Sequence, residues 1–331
     1  SKLSQILLGQ VQEQLKGKDK LVLVNDGILH YLPYAALPSI TATTAKAQIG
    51  YAPLILDYEL SSVPSASVLR LIREKTVNRP LPDKMIAIFA DPVFESNDDR
   101  LPARKKNPTS SGLISSEEAT ESLTQKARQK ISELNAEDPF GRLPYTRREA
   151  LNIQKLFPLR ESNVALGFEA SRARVKTEDF RQYQFIHFAT HGYLIEQQPG
   201  LSGLVLSLLD KKGKGQDGYL RLADIFSMKM PAELVVLSAC HTGLGKMVEG
   251  EGVMGMTSGF INAGAKRVVV SLWGVSDQST SVLMSHFYET VLKQNASPAS
   301  ALRRAQIKLI ESSQWNSPYY WAGFMLQGEP L

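Results

Sequence analysis

Short branched apolar runs alternate with stretches of helical spacing over most of the chain. Residues 3–15 place their leucine, isoleucine and valine at helical intervals and predict a helix. Leu21-Val22-Leu23-Val24 predicts a strand closed by the Asn25-Asp26-Gly27 turn, and residues 29–37 set leucine and tyrosine anchors around Pro33, as in a packed loop or short helix. Strands are expected at 55–63 and 85–90, the second ending at Asp91-Pro92, with Pro64-Ser65-Ala66 capping a helix that begins near Ser67. Further on, the pattern predicts helices at 147–156, 171–183, 253–263, 278–292 and 298–311. It predicts strands at 164–166, 185–189, 204–209, 234–237 and 268–273. Thr146 stands three residues before Glu149, the spacing of a capping box. Strands alternating with helices imply an α/β fold with a mainly parallel sheet.

One stretch breaks the pattern. Residues 95–142 are rich in Asn, Asp, Ser, Thr, Lys and Arg, and read as an exposed insertion with one helix over 117–134. It suggests two parts, an amino-terminal half over 1–142 that carries the insertion and a carboxy-terminal half over 143–331. The 331 residues suffice for one large domain or two ordinary ones. Hydrophobic residues make up 43% and charged residues 21%, which excludes wholesale disorder. No fixed-period repeat is visible.

Thirty-eight Lys and Arg against 33 Asp and Glu leave a charge of +5, with no basic stripe interleaved with aromatics, so nucleic acid is not an expected partner. No apolar run reaches the ~18–20 residues of a membrane span, and the first residues lack the apolar core of a secretory signal. The expectation is a cytoplasmic protein without membrane contact. The single cysteine, Cys240, can make neither an intramolecular disulfide nor a four-cysteine metal site.

Two strand ends carry reactive side chains. Thr190-His191-Gly192 closes one and Ser238-Ala239-Cys240-His241-Thr242-Gly243 closes another, and the carboxyl ends of strands are where open α/β sheets collect ligands and catalytic groups. His191 and Cys240 lie 49 residues apart, close to the separation of about 50 between the caspase histidine and cysteine. A thiolate attacks a carbonyl, an imidazole protonates the leaving amine, and backbone N–H groups hold the oxyanion. Gly192, without a Cβ, leaves its N–H open to that oxygen. On spacing alone, a buried inert Cys240 and a nucleophilic one stand level.

Other features take plainer readings. His187 lies inside an apolar strand and suits a hydrogen-bonded core histidine. His187, His191, Cys240 and His241 do not make the helical His-x-x-x-His arrangement, so no metal is expected. Gly250-Glu251-Gly252-Val253-Met254-Gly255 spells G-x-G-x-x-G, but the preceding strand ends too far upstream for a dinucleotide fingerprint, so no nucleotide cofactor is expected. The basic residues of the insertion, Arg104-Lys105-Lys106, Arg128 and Lys130, read as solvated surface that a basic-selective peptidase could also cut.

Several blocks in fixed order resemble one family. They are residues 185–192, FIHFATHG; residues 234–243, LVVLSACHTG; residues 250–253, GEGV; and residues 271–277, SLWGVSD. Earlier pieces, Leu32-Pro33-Tyr34-Ala35-Ala36-Leu37, Val63-Pro64-Ser65-Ala66 and Leu143-Pro144, and the late Tyr320-Trp321-Ala322-Gly323-Phe324, fit as well. Together they resemble CHAT-domain proteins, the caspase-like, separase-related cysteine peptidases of clan CD, over about residues 20 to 328. The resemblance implies a caspase-like helix/sheet/helix sandwich with a degenerate amino-terminal half and a catalytic carboxy-terminal half. It implies Cys240 as nucleophile, His191 as acid and base, Gly192 in the oxyanion hole, and Asp277 in the S1 pocket, where a carboxylate matches a P1 arginine or lysine. No cofactor is implied.

Asp277 also suits the first turn of the helix that follows it, and only the resemblance favours substrate recognition. Trp273 is most simply a core aromatic, though its strand is placed to pair with an extended peptide. Gly274 stands where the family often has Asp, and His241 follows the cysteine where the family varies. Glu249 and Glu251 are the alternative S1 acids. The function implied is a cysteine endopeptidase acting on a protein substrate, with a tetratricopeptide-repeat region upstream or on a separate chain as a further partner. The alternative is an inert caspase-like interaction domain.

Overall fold

The computed structural model describes residues 2–40, 50–102, 140–193, 195, 198–238 and 252–330. Cys240, His241, Glu249, Gly250 and Glu251 lie outside the described residues, as do residues 103–139 of the insertion with its basic clusters and expected helix.

The expected first helix is interrupted at Gly9 into α1 (Lys2–Leu8) and α2 (Gln12–Leu15), joined by a 3₁₀ turn. It leads to strand β1 (Lys20–Val24). The strand expected at 55–63 is only half realised as β2 (Glu59–Val63), because Leu54–Leu56 turns as 3₁₀ helix and its carbonyls are claimed from afar. Arg303 donates to the Ile55 and Leu56 oxygens at 2.7 and 2.6 Å. Helix α3 (Ala66–Thr76) starts where expected, with the Ser65 hydroxyl accepting from Val68 N, and β3 (Lys84–Ala90) follows.

After the insertion come α4 (Pro144–Gln154), β4 (Ser162–Leu166), α5 (Arg172–Thr177), β5 (Tyr183–Ala189), β6 (Gly192–Tyr193), β7 (Gly203–Val205) and β8 (Tyr219–Arg221). The remainder is α6 (Leu222–Ser227), β9 (Leu234–Ser238), α7 (Gly252–Asn262), β10 (Arg267–Ser271), α8 (Asp277–Lys293), α9 (Pro298–Ile310), α10 (Pro318–Trp321) and β11 (Phe324–Gly328). The long helix expected over 171–183 stops at Thr177, and the strand at 204–209 shortens to β7.

Among the described residues eight strands form one sheet in the order β1-β2-β11-β10-β9-β5-β3-β4, while β6, β7 and β8 make a small antiparallel sheet. Every pairing in the large sheet is parallel except β10 with β11. The central strands are buried on both faces, which is why β9 (LVVLS) and β10 (RVVVS) read as continuous runs instead of alternating ones. Ile86, Ile88, Leu234 and Val236 point to one face, where Leu283, Met284 and Phe287 of α8, Leu302 of α9 and Trp321 of α10 cover them. Ala87, Phe89, Val235 and Leu237 point to the other, under Val175 of α5, Ile225 of α6 and Phe260 of α7. The result is a helix/sheet/helix sandwich. The sheet is continuous through β3, which precedes residue 143 and hydrogen-bonds to β4 and β5, which follow it. No helix among the described residues is long and apolar enough to cross a membrane.

Candidate functional site

The carboxyl ends of β3, β5, β9 and β10 lie side by side, and the described candidates His191, Gly192, Trp273 and Asp277 follow these strands or lie near their ends, while Cys240 lies outside the described residues. His191 is two residues past the end of β5. It is 3% exposed, held between the rings of Phe94 and Phe140 at centroid distances of 5.0 and 5.4 Å. Its Nε2 lies 2.7 Å from the Gly141 carbonyl oxygen. A carbonyl only accepts, so Nε2 carries the proton and Nδ1 is the basic nitrogen of the neutral ring. Gly192 opens β6 opposite Leu204, and the His191 carbonyl accepts from Val205 N, so the segment after the histidine is fixed as a sheet edge.

Asp277 is the first residue of α8, so the helix-start reading holds as position. Its carboxylate, however, turns to another element: Oδ2 accepts from Tyr145 N of α4 at 2.9 Å, and Oδ1 is buried without a hydrogen-bond partner among the described residues. Burial, with repulsion from Glu149 and Asp91, pushes its pKa up to about 6, against the lowering effect of the Tyr145 N–H. Trp273, half-buried between β10 and Asp277, donates from Nε1 to the Tyr319 carbonyl at 3.1 Å and lies so close over Gly323 that a Cβ there would sit 2.9 Å from its ring.

Three residues that sequence reasoning did not select hold this arrangement. Asp91, fully buried at the end of β3 with a φ of 51°, is ringed by cations: Arg100 at 2.8 Å, Arg142 at 3.1 Å and Arg147 at 3.5 Å. Arg142 adjoins Gly141, so the pair with Asp91 anchors the segment whose carbonyl receives His191. Thr146 is not the expected cap. Pro144 starts α4, and the Thr146 hydroxyl donates to the Leu143 carbonyl while accepting from Asp91 N. Nor does Glu149 close a capping box. It is buried against His187, with Oε1 2.8 Å from Nε2, while His187 Nδ1 meets the Tyr288 hydroxyl at 3.2 Å. His187 is thus the hydrogen-bonded core histidine that its strand context predicts. The available signal was faint: an acid at the end of an apolar strand, and a second acid one turn into a helix.

These groups divide the local charge unevenly. Asp91 is neutralised by arginines and Glu149 has His187, whereas Asp277 has one neutral N–H. A desolvated carboxylate with an open acceptor position suits a cation, and a planar guanidinium above all.

Comparison with known proteins gives two kinds of likeness. Tetratricopeptide repeat protein 28 of Homo sapiens is 37% identical over 117 residues, 35% of this chain and 5% of that protein; the Mus musculus protein is 34% identical over 113 residues, 34% of this chain and 4% of its own. The chain therefore spans a small part of these curated relatives. Among solved structures, the Arg specific cysteine proteinase gingipain R superposes with a TM-score of 0.53 at 9% identity, covering 99% of this chain and 67% of that one. The separase of the Saccharomyces cerevisiae separase–securin complex gives 0.46 at 15% identity, over 98% of this chain and 17% of that one. The mainly parallel sheet between two helical layers is the caspase-like fold, shared with gingipain R. The model of the CHAT domain matches residues 1–329, and the chain belongs to the CHAT domain family.

Proposed function

We propose that this chain is a cysteine endopeptidase that cuts a protein substrate after arginine or lysine, with Cys240 as nucleophile and His191 as acid and base. Fold alone assigns no chemistry, and one observation carries this reading: the register of β5 against β9. Ala189 pairs with Ser238, and by chain count His191 and Cys240 each follow two residues after that pair. Neighbouring strands run about 4.8 Å apart, so the strands that precede the histidine and the cysteine end side by side.

In the proposed reaction His191 Nδ1 takes the proton of the Cys240 thiol, and the sulfur bonds to the scissile carbonyl carbon while the carbonyl oxygen gains the negative charge, received by the N–H groups of Gly192 and Cys240. As the C–N bond breaks, the leaving amine takes a proton from His191 Nδ1, and the acyl-enzyme remains. His191 then removes a proton from water, whose oxygen attacks the acyl carbon; the acid product leaves and the thiol is restored. Nε2 keeps its proton and donates it in a hydrogen bond to the Gly141 carbonyl throughout, which keeps the ring oriented. Asp277 receives the P1 cation at its open oxygen, and Trp273 lies on the strand extension beside the same pocket. The reading needs no metal or cofactor. The name of the two curated relatives supports a tetratricopeptide-repeat region as a regulatory partner, and a cytoplasmic setting fits such a protein.

A positional-scanning peptide library, run on wild type and on Asp277→Ala, tests this. Wild type is expected to cut after Arg and Lys, and the variant to lose that selectivity while keeping its fold. Unchanged selectivity would move the S1 acid to Glu249 or Glu251. No cleavage by wild type would favour an inert interaction domain.

A further inference from the structure

On the face of the sandwich covered by α7, helix α3 does not close against its neighbour. Between them lies an open groove of about 310 Å³. Its α3 wall is a helical stripe, Val68, Leu71, Ile72, Lys75 and Thr76, and its α7 wall is formed by Ser258, Ile261 and Asn262. Ile72 forms a buried floor, but Leu71 is 48% exposed and Phe226, at the rim, 45%. Large apolar side chains left open beside one another in this way mark a docking surface.

The charges at the groove have one sign. Among its lining residues Lys75 and Arg79 are the ionic ones. Arg79 is half-buried and gives one N–H to the Gly264 carbonyl at 2.8 Å, with no carboxylate within 4 Å among the described residues. Glu233, the nearest acid to act on it, is held by Lys266 at 3.4 Å. Lys75 stands exposed without an ion pair among the described residues. A desolvated guanidinium and an ammonium flanking an apolar trough are complementary to a helix with an apolar face and acidic flanks.

We propose that the α3–α7 groove docks an amphipathic, acid-flanked helix of a partner protein, with Leu71 and Phe226 as the apolar contacts and Lys75 and Arg79 receiving the carboxylates. The surface stands apart from the strand ends that carry His191 and Asp277, and the inference does not depend on peptidase activity.

Two fluorescein-labelled helical peptides with the same leucine stripe, one flanked by glutamate and one by lysine, test it by anisotropy against the whole chain. The glutamate peptide is expected to bind saturably and at least about tenfold more tightly, about 1.4 kcal/mol. The paired change Lys75→Glu, Arg79→Glu should reverse the preference, and Phe226→Asp should abolish binding; each variant is checked by its melting curve, and Arg79→Gln, which keeps an N–H for the Gly264 carbonyl, should weaken binding of the glutamate peptide alone. Hydrogen exchange with the glutamate peptide should show protection confined to α3, the end of α6 around Phe226, and residues 258–265. Equal affinity for both peptides, no saturable binding, or protection elsewhere would overturn the proposal. So would a wild-type dimer that Phe226→Asp dissociates, which would assign the groove to a second copy of the chain.

Discussion

In the proposed function, Asp277 connects folding to substrate recognition through a single carboxylate. Its folded-state pKa is raised to about 6 from an ordinary 3.8, so the folded protein binds that proton more tightly than the unfolded chain. Below the ordinary value both states are protonated and nothing is gained or lost. Between about 4 and 6 the penalty for ionising a desolvated acid grows, and above 6 it is complete. Asp277→Asn, which can still accept from Tyr145 N, should therefore stabilise the protein at pH 7.5 by about 1 kcal/mol after allowance for partial exposure, and leave it unchanged near pH 3. Urea titrations at the two pH values check the sign. The same titration should appear in activity: kcat/KM for a P1-arginine peptide should rise through pH 6, and the Asn variant should lack that limb. Glu149 makes the opposite case. Removing it leaves a buried His187 ring nitrogen without its hydrogen-bond partner, so Glu149→Ala should cost about 2 kcal/mol, with Glu149→Gln costing less, again read by urea unfolding.

At the scale of elements, β5, β9 and β10 were legible in the sequence because a strand buried on both faces needs an uninterrupted apolar run. The helices α3, α8 and α9 were legible because Ser65, Ser276 and Ser297 cap them locally. Failures came where distant residues decided. Thr146 and Glu149 have capping-box spacing, yet Asp91 and His187, 55 and 38 residues away, recruit their side chains. His191, Gly192, Asp277 and Trp273 stand in blocks that a sequence can show, whereas Gly141 meets His191 through a carbonyl oxygen that every residue possesses, so no side-chain pattern could reveal it. Trp273 offers a test of element packing. A Cβ at Gly323 would stand 2.9 Å from the indole, 3.2 Å from its Nε1. Gly323→Ala should displace the ring, break its bond to the Tyr319 carbonyl and cost about 1–3 kcal/mol. Tryptophan emission and thermal melting would register both effects.

The whole molecule is organised by parallel strands delivering their last residues to one rim, while α4 reaches across that rim. The segment leading into α4 gives a carbonyl to His191 through Gly141, its first turn gives an N–H to Asp277, and its second gives a carboxylate to His187. The buried Asp91 with its three arginines pins the entry to this helix, so loss of that acid should disturb the rim before the sheet. Asp91→Ala should increase hydrogen exchange in 140–147 more than in β5 or β9. The central claim is that the rim carries a working thiol–imidazole pair with a pocket for a basic side chain. Its most direct test is an acyloxymethyl ketone peptide with arginine at P1, incubated with the protein and mapped by mass spectrometry. The account predicts one adduct, on Cys240, lost in His191→Ala and not formed by the same probe with aspartate at P1. No adduct, or equal labelling by both probes, would contradict it.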